Sequence, residues 1–158
     1  MNHPEFLEAF FTLVKQEGLS TLLDSNGFRR FADYPELMKV TDGIMLDVKA
    51  VDPDFHKQLT GADNMVVLQN LSELLEAGKL QEVRIVILPN KEDQNETTVR
   101  EVSKIITDKA PLKLLRYRPF GVRDEGLQRL GFNNVSLEEM NRCQDLATSL
   151  GVTDIEIK

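Results

Sequence analysis

The chain has one cysteine, two histidines and no tryptophan in 158 residues. A lone thiol, Cys143, excludes an internal disulfide framework and any multi-cysteine metal or cluster site built from this chain alone. Positive charge is the minority sign: 19 lysines and arginines face 26 aspartates and glutamates, for a net charge of −7. That balance argues against a nucleic-acid backbone or an anionic membrane as partner. No apolar run approaches the roughly 18 residues of a membrane span. The first residues, Met1-Asn2-His3-Pro4-Glu5, lack the basic flank and apolar core of a signal peptide. Walker, Gly-x-Gly-x-x-Gly, His-Glu-x-x-His and Gly-x-Ser-x-Gly patterns are all missing, which removes several common enzyme classes. The expectation is one cytoplasmic α/β domain over residues 1–158, large enough to bury about two-thirds of its unfolded surface.

What is present is organised around Gly43-Ile44-Met45-Leu46-Asp47-Val48-Lys49, followed by Ala50-Val51-Asp52-Pro53. It reads as a buried strand that stops on a carboxylate and shows an ammonium two residues later. Side chains alternate along an extended backbone, so Asp47 and Lys49 project to one side. In parallel α/β folds, ligands sit where the chain leaves the C-terminal ends of strands. An ordinary strand-end ion bridge is the competing account of the pair.

The remaining pattern alternates. A helix is expected over residues 4–17, with the stripe Phe6, Leu7, Phe10, Leu13 and Val14. Strands are expected at 19–23, 43–46, 83–88, 112–115 and 153–157. Helices follow at 35–38, after Pro53, through Leu68, Leu71, Leu74 and Leu75 behind a cap at Asp63, over 95–108, and after a Ser136/Glu139 capping box. Residues 83–88 are apolar except for Arg84, the mark of a parallel strand covered on both faces. The order predicts parallel strands alternating with helices: an incomplete, TIM-like barrel of about five strands. An uncovered barrel edge is then expected, inviting self-association.

Several residues stand out against that frame. Asp24-Ser25-Asn26-Gly27 follows the first strand; Asn-Gly explains a turn but not the acid and hydroxyl before it. Arg84 needs either a structural carboxylate or an anionic ligand if it is buried. Arg116, Arg118 and Arg123 make a basic cluster at the end of the fourth strand, read either as solvated charge or as a seat for carboxylate or phosphate. The segment 116–135 is an unusually long connection. His56 reads as a helix-surface histidine, His3 as a surface or capping residue, and Cys143 as core.

Leu23-Asp24-Ser25-Asn26-Gly27, Met45-Leu46-Asp47-Val48-Lys49, His56-Lys57-x-Leu59-Thr60-Gly61, Val83-Arg84-Ile85-Val86-Ile87-Leu88-Pro89 and Leu114-Leu115-Arg116-Tyr117 together resemble the C-terminal part of the radical-SAM enzymes that activate glycyl-radical enzymes, pyruvate formate-lyase activating enzyme among them. The resemblance runs over roughly residues 4 to 120. It implies a partial (βα)₆ barrel and reductive cleavage of S-adenosylmethionine at a [4Fe-4S] cluster, yielding a radical that takes hydrogen from a glycine of a partner glycyl-radical enzyme. It further implies that Asp24, Ser25, Asp47, Lys49, Arg84 and Arg118 bind S-adenosylmethionine. The family's Cys-x-x-x-Cys-x-x-Cys and Gly-Gly-Glu-Pro segments are not in this sequence. A cluster held by three thiolates is therefore not expected on this chain, which alone would be inactive, a fragment or half-enzyme without its cluster-binding segment. Arg118 replaces a family histidine and, always protonated, can only donate. Two alternatives remain: a metal-free barrel decarboxylase carrying Asp47-x-Lys49-x-x-Asp52, and a non-catalytic interaction module acting through residues 116–135.

Overall fold

The computed structural model describes residues 3–122 and 124–158. Arg123, counted above in the basic cluster, lies outside the described residues.

Pro4 sits at the first turn of α1 (Pro4–Gln16), where its missing N–H costs nothing. There follow β1 (Leu22–Ser25), a 3₁₀ turn at Phe31–Asp33, α2 (Pro35–Val40), β2 (Gly43–Asp47), α3 (Pro53–Thr60) and α4 (Met65–Glu76). The second half holds β3 (Leu80–Ile87), α5 (Glu92–Ile106), β4 (Leu112–Arg116), α6 (Asp124–Leu130), α7 (Leu137–Ser149) and β5 (Ile155–Ile157). The connection at 116–135 thus contains a short helix. No helix among the described residues is long and apolar enough to cross a membrane.

All pairings in the five-stranded sheet are parallel, and its spatial order is the chain order, β1-β2-β3-β4-β5. Right-handed crossovers between successive parallel neighbours put the connecting helices on one face. The sheet is therefore an open segment of a TIM-like barrel, with a helix-covered side and a bare concave side. Ile44, Leu46, Val83, Ile85, Ile87, Leu112 and Leu114 fill the covered side and are almost wholly inaccessible. The core lies there, between sheet and helices.

A register shift where β2 meets β3 sets what the concave side shows. Ile44 faces Leu80, but Met45 faces Glu82, so β3 carries one extra residue at Gln81. Such a bulge re-aims the residues after it. Leu80 and Val83 are both buried, while Glu82, Arg84 and Val86 are half-open. The strand is therefore not apolar on both faces, as its sequence suggested; helices cover one side only. Gly43 lets the chains approach closely beside this bulge, since a Cβ there would stand 3.0 Å from the Gln81 and Leu22 side chains.

Part of the expected stripe of α1 turns outward, while Leu7 and Val14 are half-buried and Leu7 packs against the core. Pro4 and Phe11 are buried, whereas Phe6, Phe10 and Leu13 are 67%, 49% and 61% exposed. Leu22 on the edge strand β1 is open as well, at 46%. Nothing among the described residues packs over this apolar surface. At its base, the Asp42 carboxylate takes the Lys15 ammonium at 2.6 Å and the Thr21 N–H at 2.7 Å, tying α1 to the start of both strands. The Lys15 and Thr21 hydrogen bonds hold the Asp42 carboxyl down at about 2.

Candidate functional site

Three buried asparagines fix the rim from which the strands' C-terminal ends emerge. Asn70 of α4 accepts from the Phe31 N–H and donates to the Gly27 and Arg29 carbonyls, clamping the chain after β1. Asn64 donates to the Ala50 and Val51 carbonyls after β2. Asn95 of α5 accepts from the Leu88 N–H and donates to the Leu88 carbonyl and to Glu139. Backbone groups leaving a sheet lose their ladder partners, and a side-chain amide supplies both a donor and an acceptor. None of these clamps was legible beforehand.

Asp47 ends β2 and Lys49 follows two residues on. Their side chains share the concave side, Nζ to Oδ2 2.8 Å, each between a quarter and a third exposed. The neighbouring pair is Asp24 of β1 with Arg84 of β3, Oδ2 to Nη1 2.6 Å, spanning β2. Arg84 also donates through Nε to Glu82 and lies 3.0 Å through Nη2 from the Met45 sulfur. Asp47 and Arg84 are register partners on adjacent strands. Asp24, Asp47, Lys49 and Arg84, from three strands, thus converge on one face.

The ion pairs continue in a chain of alternating sign across the sheet. Glu82 bonds Lys113 of β4 at 2.9 Å, Lys113 bonds Glu156 of β5 at 3.0 Å, and Glu156 bonds Lys158 at 2.6 Å. Burial opposes the charge on Glu82, but Lys113 and Arg84 outweigh it and leave its carboxyl below the usual glutamate range. Burial likewise disfavours the Arg84 cation, and its bonds to Glu82 and Asp24 more than compensate. Glu82, Lys113, Glu156 and Lys158 were missed from sequence. The available signal was charge at period two inside strands, in Glu82-x-Arg84 and Glu156-x-Lys158.

Arg118, past the end of β4, and Arg84 both line a groove of about 600 Å³. Ser25 stands apart from the rest. It is buried on the helix side of β1, and its hydroxyl accepts from the Gly27 N–H at 3.1 Å, closing the turn. Gly27 adopts φ +67, and a Cβ there would meet the Leu46 side chain at 2.8 Å. Asp52 accepts from the Phe55 N–H and caps α3. His56 is not on the surface: it is 4% exposed, with Nδ1 3.2 Å from the Ala50 carbonyl, because the first turn of α3 folds back over the β2 exit. His3 is exposed and makes no capping bond. Ser136 caps α7 through the Glu139 N–H, but Glu139 reaches Asn95 instead of completing a capping box.

Two chemical groups can be weighed against these residues. A zwitterion bearing carboxylate, ammonium and a third charge needs both signs at one mouth, and the Asp47–Lys49 and Asp24–Arg84 pairs provide them. A cluster bound through three thiolates does not fit. Cys143 sits on the buried face of α7, and burial, with Glu139 and Glu96 nearby, pushes its thiol up to about 11.

No family model matches the chain. The pyruvate formate-lyase-activating enzyme of Streptococcus mutans is 33% identical over 125 residues, 74% of this chain and 48% of that protein. Pyruvate formate-lyase 1-activating enzyme of Escherichia coli K12 is 32% identical over 121 residues, again 74% of this chain and 49% of the relative. The Clostridium pasteurianum pyruvate formate-lyase-activating enzyme is 30% identical over 142 residues, 88% of this chain and 59% of its own length. The chain thus spans about half the length of the curated relatives it matches. A crystal structure of a domain of pyruvate-formate lyase-activating enzyme from Bacteroides vulgatus shares the fold, with TM-score 0.74 and 21% identity, covering 99% of this chain and 91% of that one.

Proposed function

Since this chain belongs to the family of the pyruvate formate-lyase-activating enzymes, spanning about half their length, we propose that it is the S-adenosylmethionine-binding and partner-docking part of a radical-SAM activase. The observation that carries this reading is the meeting of Asp24, Asp47, Lys49 and Arg84 on one bare face of the sheet. In it, Lys49 and Arg84 hold the ligand carboxylate while Asp24 and Asp47 face its cations. Ser25 shapes the turn beside Asp24 through Gly27. When bound and reductively cleaved at an iron–sulfur cluster, S-adenosylmethionine supplies the radical chemistry that oxidises a glycine of a glycyl-radical partner.

The cluster's thiolates come, in this reading, from a cysteine-bearing segment that completes the barrel. The open edge of β1 and the bare Phe6, Phe10 and Leu13 stripe support such a cover; without it they favour self-association. A metal-free decarboxylase using Asp47-x-Lys49-x-x-Asp52 stands second, because Asp52 is engaged as a helix cap. A purely docking role for 116–135 leaves the four converging charges without a task.

Titration with S-adenosylmethionine followed by amide NMR tests the proposal. Shifts are expected at Asp24, Asp47, Lys49 and Arg84, weak for the chain alone and abolished by Lys49→Ala. Anaerobic reconstitution with iron and sulfide should give cluster absorption only when a relative's cysteine-bearing half is added. Silence of all four amides, or a cluster on this polypeptide alone, overturns it.

A further inference from the structure

The groove over β3, β4 and β5 has an unusual lining. Arg84, Lys113, Arg116, Arg118 and Lys158 contribute to it, and no acidic side chain does. In a protein of net charge −7 this is a local reversal of sign. Three of the cations are engaged, since Glu82, Glu156 and Asp24 hold Arg84, Lys113 and Lys158. Arg116 and Arg118 have no side-chain hydrogen bond or ion pair among the described residues. They stand two residues apart, Arg116 as the last residue of β4 and Arg118 just past it, and the groove runs along both.

The chemistry of this lining narrows its occupant. S-adenosylmethionine carries a sulfonium and an ammonium, so cations in excess repel most of it and attract only its carboxylate. A ligand of net negative charge suits the groove better. The guanidinium fork matches a carboxylate in two parallel hydrogen bonds, and two free forks match two carboxylates. Val86, Leu115 and Val122 supply aliphatic wall beside the charges, which fits the methylenes of acidic side chains. The groove is open-sided, so an extended polypeptide can lie along it.

We propose that this groove seats an acidic segment of a protein partner, its carboxylates paired with Arg116 and Arg118. Only the partner's being a protein rests on the activase reading; the charge of the groove stands without it. The charges interleaved below serve as a brace. Glu82 and Glu156 keep Lys113 and Lys158 in place, so the long flexible cations add field without competing for the carboxylates.

The test is an amide NMR titration of the whole chain with a blocked nine-residue peptide of glycine, serine and valine carrying two glutamates, beside its glutamine counterpart. The glutamate peptide is expected to shift amides of 112–118 and 155–158 and to bind at least about tenfold more tightly than the glutamine one. Arg116→Gln and Arg118→Gln should each weaken it roughly tenfold with spectral dispersion intact, and raising salt should weaken it further. Equal binding of the two peptides, or no effect of Arg116→Gln, overturns the proposal. So does inorganic phosphate that saturates the same amides as tightly as the peptide, which makes the groove a small-anion seat. The S-adenosylmethionine titration is read at Asp47 and Lys49, outside this groove. Loss of that response with the peptide response intact sinks the cofactor reading alone, and the reverse result sinks this one.

Discussion

The two faces of the one sheet are built from alternate residues of the same strands, yet they are held by different forces. On the helix side, Leu46, Val83, Ile85 and Leu114 exclude water completely, and stability comes from apolar area removed from solvent. On the concave side, Asp24, Glu82, Arg84, Lys113 and Glu156 are linked in a charge chain that stays partly wet. Ion pairs in that setting recover little net energy after desolvation and side-chain ordering. The difference teaches a division of labour: one face makes the fold, and the other is left polar where a ligand can displace water and exchange partners.

Truncation should expose the contrast most strongly. Ile85→Ala is expected to cost about 2–5 kcal/mol in urea denaturation, whereas Val86→Ala, its neighbour on the other side, should cost under about 1.5 kcal/mol. Similar losses at both positions would mean that the concave side is core too. Next comes the rim. Asn70→Ala strands the Phe31 N–H and two carbonyls, an expected loss of about 1–3 kcal/mol. Amide exchange should quicken first at 27–31; uniform quickening would show that the clamp has no local role.

The smallest effect is expected in the charge chain. Glu82→Gln should lower stability by about 1 kcal/mol at neutral pH. The folded carboxyl of Glu82 lies below its ordinary 4.5, so its contribution is whole above that pH and is lost as pH falls through the lower folded value. Stability of the variant should therefore fall less steeply on acidification. A loss like that of Ile85→Ala would make this network a structural core and weaken its reading as a site.

Much of the architecture was readable because its signals are local. Pro4, Pro35 and Pro53 open helices, Gly151 follows α7, and apolar runs mark the strands, so element order and parallel class follow from neighbours in sequence. Asp47 and Lys49 pair because they are two residues apart on extended chain. The rest depends on distant partners. Asp24 meets Arg84 across 60 residues, Asn70 reaches back 43 residues to Gly27, and Glu139 leaves its own helix cap for Asn95. His56 looked like a surface residue because its helix was read without the β2 exit that it covers.

By itself, the sequence determined which residues share a side of each strand, since alternation is a property of the backbone. It also determined that the strands lie parallel, since each is followed by a helix long enough to cross over. Only the tertiary structure decided which side is covered and which is bare. That choice comes from the handedness of the crossovers and from the bulge that turns Glu82 and Arg84 toward Asp24, and both act between strands rather than along one.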